Sequence, residues 1–243
     1  MHWAWFEHLT WIETWDTEHL LDSVKADCLP ELFLSDNLIR QNHTQIPVYL
    51  ASVIPQQITV WQSYQKLKLV HLKDIGLSNL YPSMGIDRAL AAWGAIATYQ
   101  QACLIIDGGT ALTFTGVDER GQFIGGAILP GLRTQLTALN QKTAALPEID
   151  LPEILPARWA FNTEEAIASG IIYTAIASIH SYISDWLQQF PTGKVIFTGG
   201  DAEILAKYLY QQLPDLAQST IVDRNLVFWG IGLVYQRQMK ILA

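Results

Sequence analysis

Two aspartates, Asp107 and Asp87, are side chains suited by type and setting to chemistry. Asp107 ends the apolar run LIID (104–107), and Gly108, Gly109 and Thr110 follow at once. A carboxylate at the end of a buried strand is costly unless a cation or a donor meets it. A strand ending in an acid, a Gly-Gly turn and a threonine opening the next strand bring backbone N–H groups and a hydroxyl to one point. Such a turn can cradle a phosphate oxygen while the acid holds a cation. The same residues also fit a plain glycine hairpin whose aspartate caps its own turn. The segment alone leaves both readings open. Thr113 and Thr115 read as ordinary strand formers.

The second acid, Asp87, lies in YPSMGIDRALAAWGA (81–95), after a turn at Pro82 and Gly85 and where a helix begins. Asp at a helix start is a common N-cap worth about 1 kcal/mol, and capping is the readier reading of this segment alone. Arg88 follows directly, and neighbours on a helix diverge by about 100°. Asp87 and Arg88 are therefore free to act separately, as a base and an anion anchor. A third segment, FTGGDAE (197–203), places a glycine turn between a strand and a helix N-terminus. That is a place for a nucleotide, though as a bare pattern it is weak.

The elements that position these residues follow from periodicity. HWAWFEH (2–8) and LTWIETW (9–15) alternate as two strands, and EHLLDSVKAD (18–27) and PELFLSDNLIRQ (30–41) have helical spacing. PVYLASVIP (47–55) reads as a strand buried on both faces, QQITVWQSYQK (56–66) as a helix and LKLVHL (67–72) as a strand, a parallel crossover. Three short strands span 103–129, helices cover 131–141 and 163–189, and KVIFTGG (194–200) is a buried strand. DAEILAKYLYQQL (201–213) and NLVFWGIGLVYQRQ (225–238) are helical. Asn162 and Glu165 form a capping box. Ile172, Ile176, Ile179, Ile183, Trp186 and Phe190 form a seam that reads as core, with a dimer contact as the lesser alternative. Gly125-Gly126 and Pro130-Gly131 shape the backbone.

The fold class is α/β: two ribonuclease-H-like lobes around a central cleft, the first lobe lacking its opening strand. The lobes are expected at 1–98 and 99–243, with the last helix as a candidate to pack back on the first. Half of the residues are apolar, enough for a core of this size. A net charge of −8 and a pI near 5.1 argue against a nucleic-acid binder. Two cysteines, Cys28 and Cys103, are too few for a disulfide framework and suit a reducing compartment. No secretory signal and no long apolar span is read, so a cytoplasmic protein without membrane association is expected. The histidines do not cluster as zinc ligands, and no P-loop or G-x-S-x-G sequence occurs.

YPSMGIDRALAAWGA, LIIDGGTALTFTGVDERGQFIGGAILPGL, LNQKTAALP, FNTEEAIASGI and VIFTGGDAE resemble, in order and spacing, the type III pantothenate kinases. That family belongs to the superfamily of acetate and sugar kinases and actin. The likeness covers almost the whole chain, and the opening HWAWFE is similar to the cyanobacterial branch. It implies transfer of the ATP γ-phosphoryl group to the primary hydroxyl of pantothenate, giving 4′-phosphopantothenate, the first step toward coenzyme A. It further implies a homodimer, a monovalent cation (potassium or ammonium), and magnesium with ATP. By that matching Asp87 is the general base. Tyr81, Gly85, Ile86, Asp87, Arg88 and Thr163 contact pantothenate, and Asp107 holds the monovalent cation. Thr110, with the Gly108-Gly109 turn, meets ATP, and Gly199 and Gly200 lie near the adenosine.

One departure stands out. Family members open with a strand carrying an Asp-x-Gly-Asn-Thr-like phosphate loop, and residue 1 here already lies past that point. A start assigned too late is the preferred explanation, ahead of a trimmed chain or a catalytically crippled one. The main alternative function is an impaired member serving as a binding or regulatory protein. A sugar kinase comes next and a ribonuclease-H-type nuclease last.

Overall fold

The alternating residues at the start of the chain fold into a hairpin, in which β1 (His2–Glu7) pairs antiparallel with β2 (Thr10–Asp16). The computed structural model describes residues 1–7, 10–30 and 46–242. Trp3 and Trp15 oppose each other across the hairpin with ring centroids 6.4 Å apart. The parallel crossover is present but shorter than read: β3 (Val48–Leu50), α1 (Pro55–Trp61, not 56–66) and β4 (Leu67–Leu69, not 67–72), with β3 and β4 parallel. Tyr64 N donates back to Trp61 O, and residues 72–74 form a 3-10 turn.

Two expectations for this half need correction. The run 47–55 is a strand only at 48–50, because Ser52 bonds locally to Ile54 and Pro55 enters the first turn of α1. Residues 18–27 form no helix. Their polar groups reach across the chain instead: Val24 N donates to Val60 O (2.9 Å), Gln65 N to Ala26 O (2.9 Å) and Gln57 Nε2 to Leu20 O (2.9 Å). Tertiary bonds and the burial of Val24 override the helical spacing. The helix expected at 30–41 lies, beyond its first residue, outside the described residues.

The second half begins with α2 (Ile86–Tyr99) and continues as β5 (Cys103–Gly108), β6 (Ala111–Val117), β7 (Phe123–Pro130) and α3 (Leu132–Lys142). It closes with α4 (Thr163–Gln189), β8 (Lys194–Thr198), α5 (Ala202–Gln212), β9 (Thr220–Val222) and α6 (Leu226–Leu242). Five strands form one sheet in the order β7-β6-β5-β8-β9, antiparallel on the β7 side of β5 and parallel on the other. This is the ribonuclease-H-like arrangement. The short edge strand β9 was not legible in the sequence.

Among the described residues the first lobe repeats the antiparallel pair and the parallel pair as two separate two-stranded sheets. Both feed one apolar cluster, with Trp3 and Trp5 from the hairpin beside Val48, Leu50 and Trp61. Yet β1 and β3 share no ladder. Among the described residues no strand stands between β1 and β3 as β5 stands between β6 and β8.

The isoleucine seam of α4 is core, as its spacing indicated: Ile172, Ile176, Ile179 and Ile183 are each at most 3% exposed. The Asn162 side chain accepts from Glu165 N at 2.9 Å and caps that helix. By length and composition α4 alone among the described helices would suit a bilayer, but half of that stretch is buried in the protein.

Helices α2 and α6 cross at glycines. A Cβ on Gly94 would lie 2.2 Å from Leu226 O, and one on Gly230 would lie 2.3 Å from Leu90 O. α6 also carries Trp229 against Phe6 and Trp11, and Tyr235 against Tyr49, so it contacts both strand pairs of the first lobe. Leu226 joins Cys103, Ile105 and Ile196 of the five-stranded sheet. Gly94→Ala is therefore expected to lower stability by about 2 kcal/mol in urea denaturation, although alanine favours an isolated helix by about 1 kcal/mol. A gain in stability would mean that this crossing tolerates separation.

Candidate active site

Strand alternation decides where Asp107 points. Leu104 and Ile106 face α4 and α5, whereas Cys103 and Ile105 face α2 and α6. Asp107 therefore emerges on the α2 side, at the end of β5. Its register partners are Thr113 on β6 and Thr198 on β8. The turn after β8 presses against it. Gly199 has φ +86°, and a Cβ there would stand 2.2 Å from Asp107 Oδ1 and 2.5 Å from Gly108 O. Only glycine fits that conformation and that gap.

The two glycine turns are tied together. Asp201 N donates to Gly108 O at 2.8 Å, and the buried Asp201 carboxylate accepts from Arg133 Nε at 3.2 Å. Gly131 N and the Thr134 hydroxyl both donate to Thr110 O, at 2.9 and 2.7 Å. A Cβ on Gly131 would fall 1.9 Å from Gly109 O, so this glycine lets the start of α3 close over the turn. Gly108, Gly109, Thr110, Gly199 and Gly200 thus lie together at one end of the sheet, with Thr110 and Gly200 exposed.

From the other side comes the start of α2. Its N-cap is Gly85, not Asp87, which corrects the capping reading. Asp87 lies in the first turn, and its Oδ1 accepts from Arg88 N at 2.8 Å. A Cβ on Gly85 would be 2.5 Å from that oxygen, so glycine leaves room for the carboxylate. Arg88 is buried at 7% exposure, donating to Thr115 Oγ1 (3.1 Å), Tyr81 OH (2.9 Å) and Phe114 O (3.0 Å). Gly126 makes space for it, since a Cβ there would lie 2.5 Å from Arg88 Nη2. No ion pair holds Arg88 among the described residues.

The two acids feel each other. Burial pushes the Asp107 carboxyl up to about 6, the Asp87 charge adds to the rise, and Arg88 opposes it. Asp87, Arg88, Tyr81 and Asp107 therefore converge, with Thr115 recruited through Arg88. Thr115 is therefore more than a strand former, and Thr113 Oγ1 is buried without a hydrogen-bond partner among the described residues. Thr163 is exposed at the first position of α4, and no described hydrogen bond links its side chain to this group. Beside Met84, Gly85 and Ile86 opens a cavity of about 370 Å³, walled by Leu50, Val53 and His71.

The Arg133–Asp201 pair was missed from sequence, because nothing in the spacing of residues 68 apart signals a contact. The role of Thr115 was missed as well, because its bond to Arg88 joins residues 27 apart.

The glycine turns, the buried Asp107 carboxyl and an Asp87 close enough to raise it form one candidate site at the end of a ribonuclease-H-like sheet. A family profile described as type III pantothenate kinase matches residues 1–185. Type III pantothenate kinases of Nostoc sp. and Synechocystis sp. are each 42% identical to the chain. Those alignments cover 96% of this chain and 90% of the Nostoc protein, and 97% and 86% in the Synechocystis case. A solved Baf family transcriptional activator from Campylobacter jejuni superposes with a TM-score of 0.59 at 20% identity, over 81% of this chain and 85% of that one. That likeness speaks for the fold. The chain belongs to the type III pantothenate kinase family.

The raised Asp107 carboxyl has a signed consequence for stability. Between the ordinary carboxyl value of 3.8 and about 6, the folded chain holds a proton that the unfolded chain has released. Stability from this group is thus greatest below about pH 4 and is lost as pH rises through about 6, by on the order of 3 kcal/mol. The groups facing it from α2 are Asp87 and Arg88, while Asp201 and Arg133 lie by Gly108 on the opposite face. Asp107→Asn should be more stable than the parent in urea at pH 7.5 without potassium, and the advantage should vanish near pH 4. An advantage independent of pH would show that the carboxyl is not desolvated.

Proposed function

We propose that the chain is an ATP-dependent pantothenate kinase in which Asp87 is the general base. The observation that carries this reading is the proximity of Asp87 and Arg88 to Asp107, with Arg88 in no ion pair among the described residues. Phosphoryl transfer asks for positioning and charge stabilisation more than for covalent chemistry. Asp87 accepts the proton of the primary hydroxyl of pantothenate as that oxygen bonds to the γ-phosphorus. The bond from phosphorus to the β–γ bridging oxygen breaks, and ADP departs.

Gly85, Ile86, Asp87 and Arg88 at the start of α2, with Tyr81 and Thr163, are the pantothenate contacts in this reading. The cavity beside Gly85 gives the acceptor a partly apolar wall. Arg88 holds the anionic partner, its guanidinium oriented by Thr115, Tyr81 and Phe114 O. Gly108, Gly109 and Thr110 take the phosphates, and Gly199 and Gly200 flank the adenosine. Magnesium carried by ATP would offset the charge of the phosphate oxygens. Asp107 is the residue to hold potassium or ammonium, a group whose charge offsets that of a desolvated carboxylate. Its burial and the orphan hydroxyl of Thr113 fit such an ion.

The reading includes a division into lobes at 1–98 and 99–243, a cytoplasmic location and a homodimer. Fully exposed Phe161 and 83% exposed Trp159, just before α4, are apolar surface of the kind a partner subunit covers. The alternative reading is a binding or regulatory role.

An assay of ATP-dependent pantothenate phosphorylation decides between them. Asp87→Asn should lower kcat by about 10²- to 10⁴-fold, with the fold retained by circular dichroism, since the base is lost and its shape kept. Near-normal turnover would reduce Asp87 to a structural residue. Asp107→Asn should remove both activity and the potassium or ammonium response. An unchanged cation response in that variant would place the ion elsewhere.

A further inference from the structure

We infer that Thr113 is a ligand of the monovalent cation, lending its Oγ1 as a neutral oxygen beside the Asp107 carboxylate. The inference deepens the cation reading above and rests on it.

Thr113 and Asp107 are Cα partners in the antiparallel β5–β6 ladder, so their side chains leave the sheet on the same face. Directly paired residues hold their Cβ atoms about 4.5–5.5 Å apart, a span that one ion with oxygen ligands bridges. The parity is consistent along β6. Leu112 and Phe114 enter the core under α4 and α5, while Thr115 points the other way and accepts from Arg88 Nε at 3.1 Å. Thr115 is thus engaged. Thr113, two residues nearer the glycine turn, is 7% exposed, and its Oγ1 is buried with no hydrogen-bond partner among the described residues.

A buried hydroxyl without a partner is unfavourable, and valine would fill the same volume without that cost. The hydroxyl therefore calls for a use. The charge count fits a monovalent ion. No group of three or more histidine, cysteine, aspartate or glutamate side chains stands together among the described residues. A hard cation there depends on neutral oxygens beyond one carboxylate, as potassium does when carbonyl oxygens replace its hydration shell. Arg88 already contributes a positive charge to this face, which disfavours a doubly charged ion.

The test uses thermal unfolding of the parent, Thr113→Val and Thr113→Ser, titrated with KCl at constant ionic strength against LiCl, without nucleotide or magnesium. The parent midpoint is expected to rise with potassium. In Thr113→Val the half-effect concentration should increase about tenfold or more, and Thr113→Ser should restore it. In lithium alone Thr113→Val should be at least as stable as the parent. A valine variant with the parent's potassium response overturns the inference and leaves Asp107 as the cation residue. So does a valine variant that loses stability in lithium or does not fold, because its hydroxyl then serves the structure. A parent that ignores potassium removes the cation reading at Asp107 itself, and the inference with it.

Discussion

The desolvated carboxylate of Asp107 sets the terms for everything around it. It ends a strand whose preceding four residues are buried, no ion pair meets it among the described residues, and its carboxyl is pushed up to about 6. An acid in that position stores unfavourable free energy that a bound cation releases. Gly199 presses close enough that no side chain fits between the turn and Asp107. The site is thereby a place where positive charge is worth more than at the surface.

The second requirement is that α2 deliver its first turn to the same point. Helix–helix contact through Gly94 and Gly230 lets α6 lie against α2 at backbone distance. Leu226 of α6 packs on the five-stranded sheet, while Trp229 and Tyr235 reach the strands of the first lobe. The helix that carries Asp87 is thereby packed against both the five-stranded sheet and the first lobe. Positioning by rigid elements rather than by mobile loops is what phosphoryl transfer demands.

Much of this was legible in the sequence, for identifiable reasons. The second-lobe strands and helices carry strong periodicity bounded by glycine and proline, and they fold where that pattern put them. Residues 18–27 had helical spacing too, but long-range backbone bonds to Val60 and Gln65 outweighed it. β9 escaped notice because three residues at a sheet edge leave no periodic signal. Asp107 stood out as a costly acid beside glycine, and Asp87 as an acid followed directly by an arginine. Arg133–Asp201 and the pairing of Thr113 with Asp107 did not, since they depend on register and on contacts between distant segments. Asp87 also showed a limit of local rules: its place at a helix start suggested a cap, whereas Gly85 occupies the N-cap.

The central claim is that Asp107 is an acid kept for a cation. Carbon-13 NMR titration of its side-chain carboxyl, with and without potassium, measures this directly. The account predicts a midpoint near 6 in potassium-free solution that falls when potassium is added. A midpoint in the ordinary aspartate range under both conditions, or one that potassium leaves in place, would contradict it.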